Sequence, residues 1–139
     1  MSTSLEQIIY TSIASPDVHG GDVFDIIAQA SKRNKDRGIT GILTFVRGRF
    51  FQAIEGSKEE LDKLLRSLER DGRHHSLRVL NRRVISERQF ENWAMKRLAV
   101  KDIASARREI TSLLGHHADA KTILSSFESF LKNESNKAA

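Results

Sequence analysis

Three short segments of this chain place apolar residues on both sides of the backbone, and they constrain the fold more than any other feature. They run from Leu5 to Ile13, from Ile39 to Val46 and from Arg49 to Glu55, and they are rich in β-branched and aromatic residues. Such segments predict β-strands that are buried on both faces. A sheet made from them needs a covering layer on each side.

Two amphipathic segments alternate with these strands and predict one covering layer. The first follows His19-Gly20-Gly21 and stops at Gly38, a common C-terminal helix residue. The second follows the capping box Ser57-Lys58-Glu59-Glu60 and ends near Asp71-Gly72. Their apolar stripes are Val23, Ile26, Ile27 and Ala30 in the first, and Leu61, Leu64, Leu65 and Leu68 in the second.

The remaining strand-like segments complete a recognisable order of elements. Leu77 to Ile85 predicts a fourth strand, Trp93 to Val100 predicts a fifth, and Arg47-Gly48 predicts a hairpin between the second and third. The resulting order is β-α-β-β-α-β-β. Its first six elements form the split β-α-β arrangement of ferredoxin-like folds, in which strands one and three lie side by side. The predicted fold class is therefore α+β with a ferredoxin-like sheet.

The last forty residues predict two amphipathic helices, separated at Gly115-His116-His117. The first two helices can cover only one face of the sheet. We therefore expect the C-terminal helices to pack on the other face or to form a subunit interface. The predicted division is a domain over residues 1–100 and a helical extension over residues 101–139.

Composition excludes several kinds of site. The chain has no cysteine, which excludes disulfides, thiolate catalysis and cysteine-based metal sites. The N-terminus lacks a secretory signal and no segment approaches the roughly 20 apolar residues that span a bilayer, so we expect a cytoplasmic protein without a membrane partner. The formal charge of +5 favours an anionic partner, which can be nucleic acid, a phosphate-bearing cofactor or an acidic protein surface.

Three polar residues occupy positions that patterning assigns to the core. Tyr10 and Gln52 lie inside apolar strand runs, and Asn34 continues the stripe of the first helix. Alternation along the first strand predicts that Tyr10 shares a face with Ile8 and that Ile9 points to the other face. A buried phenol or amide without a partner costs about 1–3 kcal/mol. Singly, Asn34 could cap its helix, Tyr10 could reach the sheet edge and Gln52 could face solvent. Together, they favour a planar polar ligand between helices and sheet.

Five stretches also match one family pattern in order. They are Ile9-Tyr10-Thr11-Ser12; Arg33-Asn34 with Gly38-Ile39-Thr40-Gly41-Ile42-Leu43; Gly48 through Phe51-Gln52-Ala53-Ile54-Glu55-Gly56; Asp71-Gly72-Arg73-His74; and Phe90-Glu91-Asn92-Trp93-Ala94-Met95. In this combination the chain resembles the BLUF domains, which are blue-light sensors that use FAD. The resemblance covers roughly Leu5 to Val100.

The resemblance implies a flavin ring between the two helices and a role for each of the three polar residues. Tyr10 matches the family's tyrosine, Gln52 its glutamine, and Asn34 the amide that bonds the carbonyl edge of the ring. In the family mechanism, light excites the flavin and the tyrosine donates an electron and a proton through the glutamine. Recombination, in which the electron and the proton return, leaves the glutamine amide rotated or tautomerised. This change shifts the flavin absorption slightly to the red. An amide suits this role because its donor and acceptor ends can exchange places.

The same resemblance implies further residues beside this network. Ser12, Trp93 and Met95 match positions next to the glutamine, and Trp93 and Met95 are expected to share a strand face, although simple core packing is the alternative.

Three basic residues complete the set of matched positions. Arg33, Arg73 and His74 are expected to contact the ring edge, the ribityl chain or the phosphates, with a solvated helix end as the alternative. The adjacent histidine pairs, His74-His75 and His116-His117, diverge on regular structure, so no metal site is predicted.

Two other classes of function share this topology. An RNA-binding module is suggested by Arg47 to Ile54, but that motif needs exposed aromatic residues for base stacking and only Phe51 is in place, so a nucleic-acid partner is disfavoured. An acylphosphatase-like enzyme lacks a Gly-rich phosphate loop and a paired nucleophile and base. We therefore expect a sensor that is not an enzyme, forms a homo-oligomer and signals in trans to another protein.

Overall fold

The computed structural model describes residues 4–90, 94–98, 100–114 and 120–137, and within them the chain forms a five-stranded sheet with helices on both faces. The strands are β1 (Leu5–Ala14), β2 (Thr40–Val46), β3 (Arg49–Ser57), β4 (His74–Val84) and β5 (Lys96–Arg97). The helices are α1 (Gly20–Arg37), α2 (Lys58–Glu69), α3 (Ile103–Leu114) and α4 (Ala120–Lys137). The predicted order of elements is confirmed.

The strand order across the sheet is β4-β1-β3-β2-β5. As the ferredoxin-like arrangement requires, β1 and β3 are neighbours, and β1 runs antiparallel to both β3 and β4. The β2–β3 pair is antiparallel as well, whereas β5 pairs in parallel with β2. β4 begins at His74, earlier than predicted, because His74 and His75 pair with Ala14 and Ile13 at the end of β1.

The predicted fifth strand over Trp93–Val100 is wrong in extent, since the structure has a strand only over Lys96–Arg97 in the described part of this segment. The backbone carbonyls of Ala94 and Met95 accept hydrogen bonds from side chains of α1, which draws the chain away from β2 before residue 96. Trp93 and Ala99 lie outside the described residues.

The two faces of the sheet carry separate cores. Ile8 and Tyr10 of β1 belong to the core beneath α1 and α2, whereas Ile9 belongs to the core beneath α3 and α4. The alternation predicted for β1 is therefore confirmed. It follows from the period of two along a strand.

The C-terminal helices cover the second face of the sheet, one of the two predicted alternatives. Phe51 of β3 is fully buried, and its ring centroid lies 4.6 Å from that of Phe127 and 5.5 Å from that of Phe130. Burial of each such aromatic side chain contributes about 1.5–3 kcal/mol. The residues that divide α3 from α4, predicted as Gly115-His116-His117, lie outside the described ones.

The predicted helix ends agree with the backbone geometry. Gly38 has φ 67°, in the left-handed region, and its N–H donates to the carbonyl of Asn34, which closes α1. At the start of α2, the Ser57 hydroxyl accepts the N–H of Glu60 at 3.3 Å. Among the described helices, none combines the length and apolarity that a bilayer span requires.

Candidate functional site

A cleft of about 400 Å³, including its open mouth, lies between α1, α2 and the sheet. Apolar residues line part of the cleft, and Arg33, Asp71, Arg73 and His74 add charged or titratable groups. The other lining residues are Ile26, Ala30, Leu43, Phe50, Gln52 and Leu68. An apolar cavity with a few convergent polar groups is typical of a small-molecule site. Four of the predicted site residues, Arg33, Gln52, Arg73 and His74, meet here.

Tyr10 and Gln52 lie directly opposite each other in the β1–β3 ladder. Leu43 of β2 stands opposite Gln52 on its other side, so these three residues form one row across the sheet. Opposed side chains on one face of an antiparallel pair have Cβ atoms about 4.5–5.5 Å apart. Tyr10 is 1% exposed and Gln52 is 8% exposed, which puts a buried phenol beside an amide that faces the cleft.

Tyr10 and Arg33 influence each other electrostatically. Burial raises the pKa of the Tyr10 phenol, and the nearby Arg33 guanidinium opposes this rise in part. The pKa of Arg33 is in turn lowered, chiefly by burial. Tyr10 is therefore a neutral phenol at physiological pH.

Asn34 is completely buried on α1, and its side chain does not cap the helix. The N–H groups of Gly38 and Ile39 bond instead to the backbone carbonyl of Asn34. The side-chain Nδ2 donates to the carbonyl of Ala94 at 2.8 Å, while Oδ1 has no hydrogen-bond partner within the described part of the chain. Asn34 borders a more open cavity next to Ala94, of about 800 Å³ including the solvent at its mouth, and not the cleft that Gln52 lines.

Ser12 and Met95 both lie on the cleft side of the sheet. Ser12 stands opposite Phe50, a cleft residue, and its buried Oγ makes no hydrogen bond to any described residue. Met95 is 8% exposed and packs in the same core as Tyr10, although it precedes β5 and is not part of a strand. Trp93, the other residue predicted here, is outside the described residues, so its predicted shared face with Met95 stays a prediction.

Arg73 is held by an acidic partner that sequence reasoning missed. Its guanidinium donates from Nε to both carboxylate oxygens of Asp71, at 3.0 and 3.1 Å, and from NH2 at 2.6 Å, while NH1 reaches Gln29 of α1 at 2.8 Å. These hydrogen bonds lower the pKa of the Asp71 carboxyl to about 2. From the sequence, Asp71 was assigned only to the end of the second helix and to a matched stretch, and the Asp-Gly-Arg spacing was the available signal.

His74 follows directly, at the start of β4. Burial is the main cause of its lowered pKa, so the imidazole is neutral near physiological pH. Its ring meets Phe50 edge-on at 6.2 Å, and its buried Nδ1 has no hydrogen-bond partner among the described residues.

A second acidic residue, Glu55, anchors the segment that leads to Met95. Its carboxylate is fully buried and accepts the backbone N–H groups of Gln89 at 3.0 Å and Phe90 at 2.6 Å. The Thr40 hydroxyl also donates to it, at 3.0 Å. Sequence reasoning missed this role, although an acidic residue in the apolar alternation of β3 was a usable signal.

Comparison with known proteins identifies relatives over most of the chain. The family model described as "BLUF: Sensors of blue-light using FAD" matches residues 5–96. The photoactivated adenylate cyclase subunit alpha of Euglena gracilis is 33% identical over 96 residues, which is 68% of this chain and 9% of that protein. The chain thus spans about a tenth of the length of the curated cyclases that it matches.

Two solved structures share the fold along most of their own length. "BlrB - a BLUF protein, dark state structure" is 26% identical with a TM-score of 0.72, covering 91% of this chain and 99% of that one. "BlrP1 BLUF" is 29% identical with a TM-score of 0.79, covering 91% of this chain and 88% of that one.

Proposed function

This chain belongs to the BLUF family of blue-light sensors that use FAD, and on that premise we propose that it is a photoreceptor whose cleft binds a flavin non-covalently. The observation that carries the proposal is the opposed pair of Tyr10 and Gln52 beside the cleft. The pair supplies a redox-active phenol and a reorientable amide at adjacent positions. The proposed role is that of a sensor and not of an enzyme.

The residues around the cleft fit a flavin. Leu43, Ile26 and Phe50 offer apolar surface to the faces of a planar ring. Arg33 Nε and His74 Nδ1 are buried polar atoms without a hydrogen-bond partner in the described chain. The flavin ring has carbonyl oxygens and an N–H group on its edge, and these groups are complementary to the two unpaired atoms of Arg33 and His74.

Asn34 lies on the neighbouring cavity and not in the lining of the cleft, and we propose that the polar edge of the ring extends from the cleft to this residue. Its Nδ2 uses one hydrogen on Ala94 and keeps a second for a carbonyl, and its unpaired Oδ1 suits an N–H donor. We assign Asn34 to the ring edge, and Arg33, Arg73 and His74 to the edge, ribityl chain or phosphates. The ion pair of Arg73 with Asp71, at 2.6 Å, orients its guanidinium beside the cleft.

When bound, a flavin supplies absorption of blue light and an acceptor for one electron. Loss of an electron makes a phenol far more acidic, and a buried charge is costly, so Tyr10 releases its proton together with the electron. Gln52 is the side chain directly opposite and accepts the proton at its amide oxygen. While its oxygen is protonated the Gln52 amide could rotate, and return of the electron and the proton would then leave its donor and acceptor ends exchanged. In our assignment, Ser12, Met95 and Trp93 lie next to this amide and stabilise either arrangement.

An RNA-binding function is disfavoured by the position of Phe51. This residue was the one aromatic side chain in the right place for base stacking, and it is fully buried against Phe127 and Phe130. Base stacking requires an exposed ring. The net charge of +5 therefore favours another kind of anionic ligand.

For the output, we propose that residues 101–139 form the signalling element. They cover the face of the sheet opposite the cleft, and α3 and α4 share one core with Ile9, Phe51 and Ala53. We propose that a homo-oligomer or a separate cytoplasmic protein receives the signal through this layer.

The test is an absorption spectrum of the purified full chain in darkness and after blue light. We expect bound flavin, released intact by denaturation, and a red shift that reverses in darkness. A chain that remains colourless after incubation with FAD, FMN and riboflavin would overturn the proposal. Bound flavin with no reversible shift would overturn the sensor mechanism alone.

A further inference from the structure

Two neighbouring arginines of the edge strand β4 point to opposite faces of the sheet. Arg82 stands opposite Ile8 of β1, on the cleft side, and Arg83 stands opposite Gln7, on the side of α3 and α4. This follows from the period of two along a strand. Each arginine also bonds a helix on its own side, Arg82 to Asp62 of α2 and Arg83 to Thr122 of α4.

Arg83 joins β1 to the start of α4. Its Nη2 donates to Gln7 Oε1 at 2.9 Å, and its Nη1 donates to the hydroxyl of Thr122 at 3.1 Å. Gln7 is buried, and Thr122 lies in the first turn of α4. One guanidinium therefore bonds a buried amide of the sheet and a C-terminal helix at the same time.

The contact of Arg83 with α4 is electrostatically weak. A helix carries partial positive charge at its N-terminal end, so the start of α4 repels the guanidinium that bonds Thr122. The contact depends on Gln7, whose oxygen accepts from the same guanidinium and holds it in place. Loss of the Gln7 bond would therefore favour release of Thr122.

The Gln7 amide has a second arrangement available. Its buried Nε2 has no hydrogen-bond partner among the described residues, so its present orientation satisfies only one end of the amide. Rotation would turn the N–H groups toward Arg83 in place of the oxygen and would break their bond. Gln7 and Arg83 thus form a contact with two discrete states.

Both strands of the Tyr10–Gln52 pair lead to Gln7. Gln7 lies on β1, three residues before Tyr10, and stands opposite Glu55 of β3, which lies three residues after Gln52. A change of hydrogen bonding between Tyr10 and Gln52 that displaces either strand would therefore move Gln7 relative to α4. Such a displacement shifts the contact only because its two states place the amide differently.

We propose that Arg83 is the residue through which the sheet signals to the C-terminal helices, and that blue light breaks its bond to Thr122. The proposal rests on the proposed function and names the contact by which residues 101–139 receive the signal. In darkness, Arg83 holds the start of α4 against β1. In the lit state, the Gln7 amide has rotated, Arg83 has released Thr122 and the first turns of α4 are loosened. Arg83 is a positioning residue and does not line the cleft.

The experiment measures hydrogen exchange of the backbone amides of residues 120–127 in the flavin-loaded full chain, in darkness and under continuous blue light. The test variants are Arg83→Met and Thr122→Val, each of which removes the bond between β4 and α4. The control variant is Arg82→Met, which removes the neighbouring arginine and its bonds to Glu6 and Asp62 on the cleft side. An absorption spectrum and a thermal melt of each variant check its flavin, its red shift and its folding.

We expect light to speed the exchange of these amides about tenfold in the wild type, the effect of losing one hydrogen bond to a charged group. Both test variants should keep the red shift. In darkness their amides should exchange as fast as those of the illuminated wild type, with no further increase in light. Arg82→Met should retain the light-dependent increase.

A light-dependent increase that persists in either test variant would overturn the proposal, since Arg83 would then only stabilise α4. So would a wild type whose red shift leaves the exchange of α4 unchanged. Loss of the increase in Arg82→Met as well would also overturn it, because the effect would not be specific to the Arg83 contact. A wild type without bound flavin or without a red shift would instead overturn the proposed function.

Discussion

Tyr10 and Gln52 are directly opposed residues of the antiparallel β1–β3 pair, on the face of the sheet that α1 and α2 cover. Their separation is fixed by the ladder hydrogen bonds of the two strands and not by the side chains themselves. Conservative substitution at either position should therefore preserve the geometry of the other. This makes the two chemical roles separable by experiment.

Tyr10→Phe and Gln52→Leu should each keep bound flavin and lose the reversible red shift. The first removes the phenol with little change in volume, and the second removes the amide. Light-minus-dark difference spectra measure the effect. Thr44→Val, which removes a buried hydroxyl from the neighbouring strand, is the control and should respond normally. A normal shift in both site variants would contradict the roles assigned to Tyr10 and Gln52.

Asn34→Ala should weaken FAD binding by about tenfold or more, because it removes a buried acceptor and donor from the ring edge. The matched control is Ser31→Ala, which loses a hydrogen bond of 3.4 Å to the Met95 carbonyl, next to Ala94. That variant should keep its FAD affinity within about twofold. An equal loss in both variants would show that Asn34 acts by anchoring the segment and not by binding the ring.

Glu55→Gln should reduce the free energy of unfolding by about 1–3 kcal/mol, since the amide nitrogen would face a backbone N–H that the carboxylate now accepts. Urea denaturation monitored by circular dichroism measures the change. Glu59→Gln, at an exposed position in the first turn of α2, should leave the stability nearly unchanged. Equal stability of Glu55→Gln and the wild type would mean that the buried network stabilises nothing.

The Asp71–Arg73 pair should make stability depend on pH in the acid range. The pKa of Asp71 is about 2 in the folded chain, below its ordinary value of 3.8, so its stabilisation is present above pH 3.8 and is lost as the pH falls toward 2. The contribution should be about 1 kcal/mol after solvent screening.

The measurement compares the wild type with Asp71→Asn by urea denaturation from pH 6 to pH 2. The difference between them should be constant near neutrality and should shrink below pH 4. Adding Arg73→Gln to Asp71→Asn should change little, because the pair is already broken. A stability difference that persists undiminished at pH 2 would contradict the assignment.

Phe127→Ala should cost about 3–5 kcal/mol of unfolding free energy, because this α4 side chain is fully buried against Phe51. Phe24→Ala is the matched control, since Phe24 is 72% exposed, and it should change stability by less than about 0.5 kcal/mol.

Deletion of residues 101–139 should expose the same face and cause aggregation, measured by light scattering. A monodisperse truncated chain would show that the sheet does not need this layer.

The fold follows from the sequence because its signals are local. Alternation in β1 assigned Ile8 and Ile9 to opposite faces, and Gly38 marked the end of α1, both as the structure has them. The same alternation drew attention to Tyr10 and Gln52 as polar residues in core positions. Only the family resemblance supplied the flavin.

The long-range partners in the hydrogen-bond networks could not be predicted, because they are distant in sequence. Glu55 is separated from Gln89 by 34 residues and Arg73 from Gln29 by 44. No periodicity links such pairs, since their contact depends on the packing of whole elements. The short β5 has the same origin, because α1 captures the carbonyls of Ala94 and Met95.

Gln52 and Phe51 share a peptide bond, yet one side chain faces the cleft and the other is buried beneath α4. Only the backbone of β3 separates the two faces of the sheet here, and successive residues are only about 3.3 Å apart along the strand. A twist of β3 about its own axis would swing these two side chains in opposite directions, with the backbone as the pivot. Movement of β3 would therefore couple the cleft directly to the layer of α3 and α4, without any contact around the edge of the sheet.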